Sequence, residues 1–111
     1  MQNTFVQARM TIFQASGHIN AENASLLKQQ LADTVSAHEY SSLLVDMSQV
    51  ESLDSAGLMV LVSTLTLAQR LNKRFGLCGV TPSVRIILEL TQLDRLLEIS
   101  DSHVAIEAVA A

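Results

Sequence analysis

Residues 50–59 read Val50-Glu51-Ser52-Leu53-Asp54-Ser55-Ala56-Gly57-Leu58-Met59. A short acidic, hydroxyl-bearing stretch passes directly into an apolar run. Asp54 or Ser55 can cap a helix there by accepting a bond from a first-turn amide, a contribution of about 1 kcal/mol. Upstream, Ser42-Leu43-Leu44-Val45-Asp46-Met47 is a brief apolar run ending in a carboxylate, the pattern of a strand covered on both faces. Downstream, Leu58, Leu61, Val62, Leu65 and Ala68 repeat at helical spacing, which predicts a helix over 56–72. Arg70, Lys73 and Arg74 gather at its negative end, each stabilising by a few tenths of a kcal/mol, on the order of 0.3. Strand, polar loop and helix in that order form half of a β–α–β unit, and the rest of the chain repeats the theme.

Thr4-Phe5-Val6-Gln7-Ala8 and Thr11-Ile12-Phe13-Gln14-Ala15 are rich in β-branched and aromatic residues and read as two short strands. Gly17 breaks the second. Asn20 offers an N-cap, Glu22 lies in the positive first turn, and Ala24, Leu27, Leu31 and Val35 give a one-sided helix over 21–36. Gly76 reads as the stop of the second helix, followed by a strand Leu77-Cys78-Gly79-Val80. Thr81-Pro82 is a strong start signal for a third helix over 82–90, carrying Val84, Ile87, Leu88 and Leu90. Leu96-Leu97-Glu98-Ile99 reads as a last short strand, and Asp101 as the cap of an alanine-rich helix over 102–109. The alternation after residue 40 predicts α/β layers with at least part of the sheet parallel. No linker or repeat divides the chain, so 1–111 is expected to be one domain.

A chain of 111 residues is long enough for one core and too short for two. With 49% hydrophobic and 16% charged residues it has the composition of an ordered globular protein. The net charge of −4 and the dispersal of seven Lys and Arg leave no phosphate-tracking stripe, so no nucleic-acid partner is expected. There is no secretory run and no stretch of about 18 apolar residues, so neither a membrane association nor export is expected and the location reads as cytoplasmic. A lone cysteine, Cys78, fits a reducing compartment.

The polar groups concentrate in one place. Asp46, Ser48, Glu51, Ser52, Asp54 and Ser55 fall beyond the carboxyl end of a predicted strand, where α/β sheets collect functional groups. The pattern of a phosphate-cradling loop is absent, and Ser55 is flanked by Asp54 and Ala56 rather than by the glycines of a nucleophile elbow. His18, His38 and His103 are scattered, so no catalytic triad and no metal site assemble from local sequence. Asp46 at a strand end suggests a phosphate-receiving carboxylate, but the acidic pair needed to hold Mg²⁺ is missing. No catalytic residue, metal or cofactor is expected. Ser55 is better placed to receive chemistry than to perform it. A phosphate there would add roughly −1.5 to −2 charges, stabilised in part by the helix N-terminus and repelled by Asp54. On a helical wheel Ala56, Met59, Val60, Ser63 and Leu67 lie opposite the core stripe. An apolar second face beside Ser55 suits docking of another protein, and Met59 is an adaptable contact.

The run from Leu43 to Leu58 resembles the signature of the STAS domain, and more narrowly that of bacterial anti-sigma factor antagonists. Those have an apolar strand ending in Asp, a short loop, then Asp-Ser-x-Gly-Leu opening a helix. Gly17-His18-Ile19-Asn20 resembles the family's early Gly-x-Leu-Asp turn, and Gly79-Val80-Thr81-Pro82-Ser83-Val84 its late strand-to-helix junction. The resemblance implies a small mixed sheet of four to five strands with about four helices packed mainly on one side. It also implies a non-enzymatic switch. The unphosphorylated protein binds an anti-sigma factor that is often a serine kinase, frees the sigma factor, loses binding when the serine matching Ser55 is phosphorylated, and regains it through a serine phosphatase. Asp54, Gly57 and Leu58 share the motif. Asn20 stands where the family often has aspartate near the switch serine. The expected partner surface is therefore Asn20, Asp54, Ser55, Ala56, Gly57, Met59, Val60, Ser63 and Leu67, on a monomer or weak homodimer. The alternative is a constitutive scaffold, or a module self-associating through 56–67, in which Ser55 is only a helix cap.

Overall fold

Residues 9–101 are described by the computed structural model, so the strand expected at 4–8 and the helix expected at 102–109 lie outside the described residues. The elements are β1 (Met10–Ile19), α1 (Ala24–Ser36), β2 (Ser42–Leu53), α2 (Ser55–Arg70), β3 (Arg74–Cys78), α3 (Pro82–Leu90), a 3₁₀ turn (Leu93–Arg95) and β4 (Glu98–Ser100). The four strands lie side by side in the order β1-β2-β3-β4, and each neighbouring pair is parallel. The α/β architecture is as expected, and the described part of the sheet is parallel throughout. Each connection steps in the same direction along the sheet. Right-handed crossovers then bring all three helices to one face.

That face holds the main core. Leu43, Val45 and Met47 of β2 and Phe75 and Leu77 of β3 meet Leu31 and Val35 of α1, Val60 and Leu61 of α2, and Val84 and Leu88 of α3. On the opposite face Leu44 and Cys78 are buried with Met10 packed against them. Beside them Arg74 and Glu98 form an ion pair between β3 and β4, with both Nε and a terminal guanidinium nitrogen donating to the carboxylate. β2 is buried continuously from Leu43 to Met47, as a central strand should be.

β2 is longer than its apolar core suggests, because its polar end continues to pair with β1. Two register shifts interrupt that pairing, one between Gln14 and Ser16 and one between Gly17 and His18. Gly17 takes a positive φ of 76° at the second, a conformation that favours glycine. The stop of α2 also differs from expectation. Asn72, with φ of 57°, takes the left-handed position after the helix, so Gly76 is free to lie inside β3. It fits there because a Cβ would come within 3.0 Å of the Glu98 carbonyl oxygen. Lys73 then reaches back, its Nζ donating to the carbonyls of Val35 (2.7 Å) and Ala37 (2.6 Å) at the negative end of α1.

Candidate functional site

Asp54 is the residue that caps α2. Its backbone is extended, and its Oδ1 accepts a bond from the Gly57 amide at 3.1 Å. Its own amide donates to the carbonyl of Ile19 at 3.1 Å, which ties the end of β1 to the start of α2. Ser55, the first helical residue, is exposed, and its hydroxyl bonds to no other described residue. The capping role that a serine in this position could have taken is thus filled by its neighbour. Among the described residues the amides of Ser55 and Ala56 have no carbonyl partner, as in the first turn of any helix, so Ser55 lies at the positive end of the dipole.

At Gly57 three elements approach closely. A Cβ added there would lie 2.4 Å from Leu53 Cδ1, 2.9 Å from Ile19 Cγ2 and 3.2 Å from the Ile19 carbonyl oxygen. The glycine therefore brings α2 down onto the paired ends of β1 and β2, where Ile19 stands opposite Leu53.

The turn that follows β1 is closed by two asparagines. Asn20 Oδ1 accepts the amide of Glu22 at 2.9 Å, while Asn23 Oδ1 accepts the amide of Asn20 at 2.9 Å. Asn23 Nδ2 donates to the His18 carbonyl at 2.7 Å. Asn20 acts one turn ahead of the regular helix, which begins at Ala24, and its carbonyl accepts the Ala24 amide at 2.8 Å. Next to it, His18 Nδ1 and Ser52 Oγ are 2.6 Å apart across the β1–β2 pair. The Asn20 turn, the His18–Ser52 pair and the Asp54–Ser55 cap thus belong to one end of the sheet. Asn23 and the His18–Ser52 pairing were not singled out from sequence. The Asn20/Asn23 spacing is a visible signal for the first, whereas the second depends on strand register.

The proposed docking face is narrower than the helical wheel suggests. Met59 is 60% exposed, while Val60 is 3% exposed and packs in the core. Leu67 is partly buried against that core, and Ala56 and Ser63 are half-buried. Val60 is therefore corrected from a surface residue to a core residue, and Gly57, also expected on the partner surface, is buried against Leu53 and Ile19. The physical reason is that α2 rests against α1 as well as the sheet, so its buried stripe runs through Gly57, Val60, Leu61, Thr64 and Ala68. Thr64 is accommodated by donating to the Val60 carbonyl at 2.8 Å.

Elsewhere at the carboxyl ends of the strands, Asp46 is buried and its Oδ1 accepts the Ser48 amide at 2.9 Å. Gly79, with φ of 65°, passes so close that a Cβ would lie 3.1 Å from that oxygen. Burial first, and the charge of Asp46 second, push the Cys78 thiol up to about 11. This makes Cys78 a packed core residue and not a nucleophile. Among the described residues no three His, Cys, Asp or Glu side chains converge as a metal site would require, and no helix is long and apolar enough to cross a membrane.

Three comparisons bear on this geometry. The STAS domain family matches residues 2–106. A Thermotoga neapolitana protein, named as a candidate anti-sigma factor antagonist, is 32% identical over 93 residues, which span 84% of this chain and 82% of that one. Among solved structures, a candidate anti-sigma factor antagonist from Thermotoga maritima is similar at TM-score 0.83 and 32% identity, covering 92% of this chain and 88% of that one. An anti-sigma factor antagonist from Mycobacterium paratuberculosis is similar at TM-score 0.81 and 27% identity, covering 91% and 85%.

Proposed function

This chain belongs to the STAS domain family, and we propose that it is an anti-sigma factor antagonist switched by phosphorylation of Ser55. In this reading the unmodified surface around Ser55 binds an anti-sigma factor that also serves as its serine kinase. Binding frees the sigma factor, phosphorylation breaks the complex, and a serine phosphatase resets it. The protein performs no catalysis of its own and works in the cytoplasm.

The observation that carries the proposal is the division of labour at the head of α2. Asp54 supplies the cap, and Ser55 is left exposed with no hydrogen bond to another described residue. A hydroxyl with no structural task can be esterified without breaking the fold. The phosphate would meet the unpartnered amides of the first helical turn, which favour it. It would also sit beside the carboxylate of Asp54, and a partner surface pressed against the site would have to bury both charges. The expense falls on the complex, since burying an uncompensated charge costs several kcal/mol.

The test compares wild type, Ser55→Glu and enzymatically phosphorylated protein in titrations against the anti-sigma factor kinases of the same organism. The expected result is at least a tenfold loss of affinity, about 1.4 kcal/mol, with the melting temperature moved by no more than about 2 °C. Equal affinity of the phosphorylated and free forms would rule the switch out. The exposure of Met59 favours a second reading, a scaffold that self-associates through the outer side of α2. Sedimentation over a range of concentrations, with Met59→Lys as control, decides it: self-association abolished by the substitution supports the scaffold, and a monomer throughout removes it.

A further inference from the structure

We infer that Ser52 is a second phosphoryl acceptor on this surface, with His18 as the base that activates it. The inference goes beyond the Ser55 reading and does not rest on it.

The pair is produced by the strand register. Gly17 stands opposite Val50, but His18 stands opposite Ser52, because Glu51 is an extra residue on β2. Without that bulge His18 would face Glu51. Bulges of this kind re-aim side chains and are frequent next to functional sites. Here the result is a hydroxyl and an imidazole nitrogen 2.6 Å apart, both on exposed residues. The histidine is held from behind, since Asn23 Nδ2 donates to its carbonyl and Gly17 supplies the positive φ that turns the chain into it. Both partners sit on strand ends and not on a wandering loop, which keeps the distance short. By contrast Ser55 has no imidazole or other base bonded to its hydroxyl among the described residues.

With the imidazole protonated on Nε2, Ser52 donates its proton to Nδ1. This is the arrangement of a serine nucleophile and its general base. In transfer from a nucleoside triphosphate held by a kinase, Ser52 Oγ would bond to the γ-phosphorus as the bond to the β-phosphate oxygen breaks. The hydroxyl proton passes to His18 Nδ1, the nucleoside diphosphate leaves, and the imidazolium then loses its proton to water. A kinase that brings its own base can modify any exposed serine, but Ser52 carries a base within reach.

The activation can be read without knowing the kinase. The full chain is incubated with diisopropyl fluorophosphate, whose phosphorus is attacked by an activated serine oxygen with loss of fluoride. Intact mass and peptide fragmentation then give the rate at each serine. The expected result is one diisopropylphosphoryl group on Ser52, formed at least about tenfold faster than on Ser48 or Ser55 in the same digest, a threshold set below the roughly hundredfold that general-base catalysis typically contributes. His18→Gln should reduce the Ser52 rate to that of the other serines, and Ser52→Ala should remove the fast label altogether. Labelling of Ser52 no faster than of Ser48 and Ser55 in wild type would overturn the inference, and that comparison stands even if a variant fails to fold. So would a fast rate unchanged in a folded His18→Gln variant. None of these readings depends on Ser55 being phosphorylated by a partner, so the two proposals can fail separately.

Discussion

With Asp54 Oδ1 holding the Gly57 amide, Asp54→Ala should destabilise the protein by about 1 kcal/mol, while Asp54→Asn, which keeps an oxygen in place, should cost a few tenths, on the order of 0.3 kcal/mol. Ser55→Ala, removing a hydroxyl that bonds to no other described residue, should be close to neutral. Urea denaturation of the three variants measures the contrast, and a larger loss for Ser55→Ala than for Asp54→Ala would contradict the assignment of the cap. Cys78 gives a second expectation at the same scale. Its thiol is raised to about 11 in the folded protein, above the ordinary value of about 8.5 that applies to the unfolded chain. As pH rises the unfolded chain therefore loses its proton first and is favoured. The stabilisation is complete below about pH 8.5 and is lost as pH rises toward 11. Measured against Cys78→Ala, the stability of wild type should fall between neutral pH and about pH 10.5, with the thiol alkylated slowly until the protein unfolds.

Helix α2 gives the sharpest contrast between neighbouring positions. Val60 is fully enclosed by the core, and Met59 stands out from it. Val60→Ala should cost about 1–3 kcal/mol, in the range expected for removing buried methyl groups. Met59→Lys should leave the melt almost unchanged while weakening partner binding. A thermal melt and a binding titration on the same two proteins separate fold from surface. The same helix marks what local sequence can and cannot supply. The end of α1 at Ser36 and the whole of α3, Pro82–Leu90, are readable because amphipathic spacing and Pro82 are local signals. So are Asp54, Ser55 and Gly57, which are contiguous. The rotation of α2 about its axis is not readable, because it is set by simultaneous contact with α1 and the sheet. The extension of β2 to Leu53 and the start of β3 at Arg74 are also hidden, since polar and charged residues there are held by backbone pairing with neighbours distant in sequence. The His18–Ser52 contact depends on a one-residue bulge, which no periodicity announces.

Across the molecule, Gly57 is the point at which β1, β2 and α2 are fixed to one another. Alanine is the better helix former by about 1 kcal/mol, yet its methyl group would meet Leu53 Cδ1 and the Ile19 side chain and backbone. Overpacking costs typically about 1–3 kcal/mol, and because the backbone carbonyl of Ile19 cannot swing aside, Gly57→Ala should be net destabilising by about 1–2 kcal/mol. Chemical denaturation checks the sign; a gain in stability would mean that the three elements separate easily. The strand order has a further consequence for how the protein is made. Because each of β2, β3 and β4 lies beside its immediate predecessor among the described strands, this part of the sheet can be laid down in the order of synthesis, at roughly 5–20 residues per second. The candidate site residues from His18 to Met59 all precede α3 and β4 in the chain. The surface proposed to meet other proteins is thus built from elements that are translated before α3 and β4, and those later elements complete the core behind it with Val84 and Leu88.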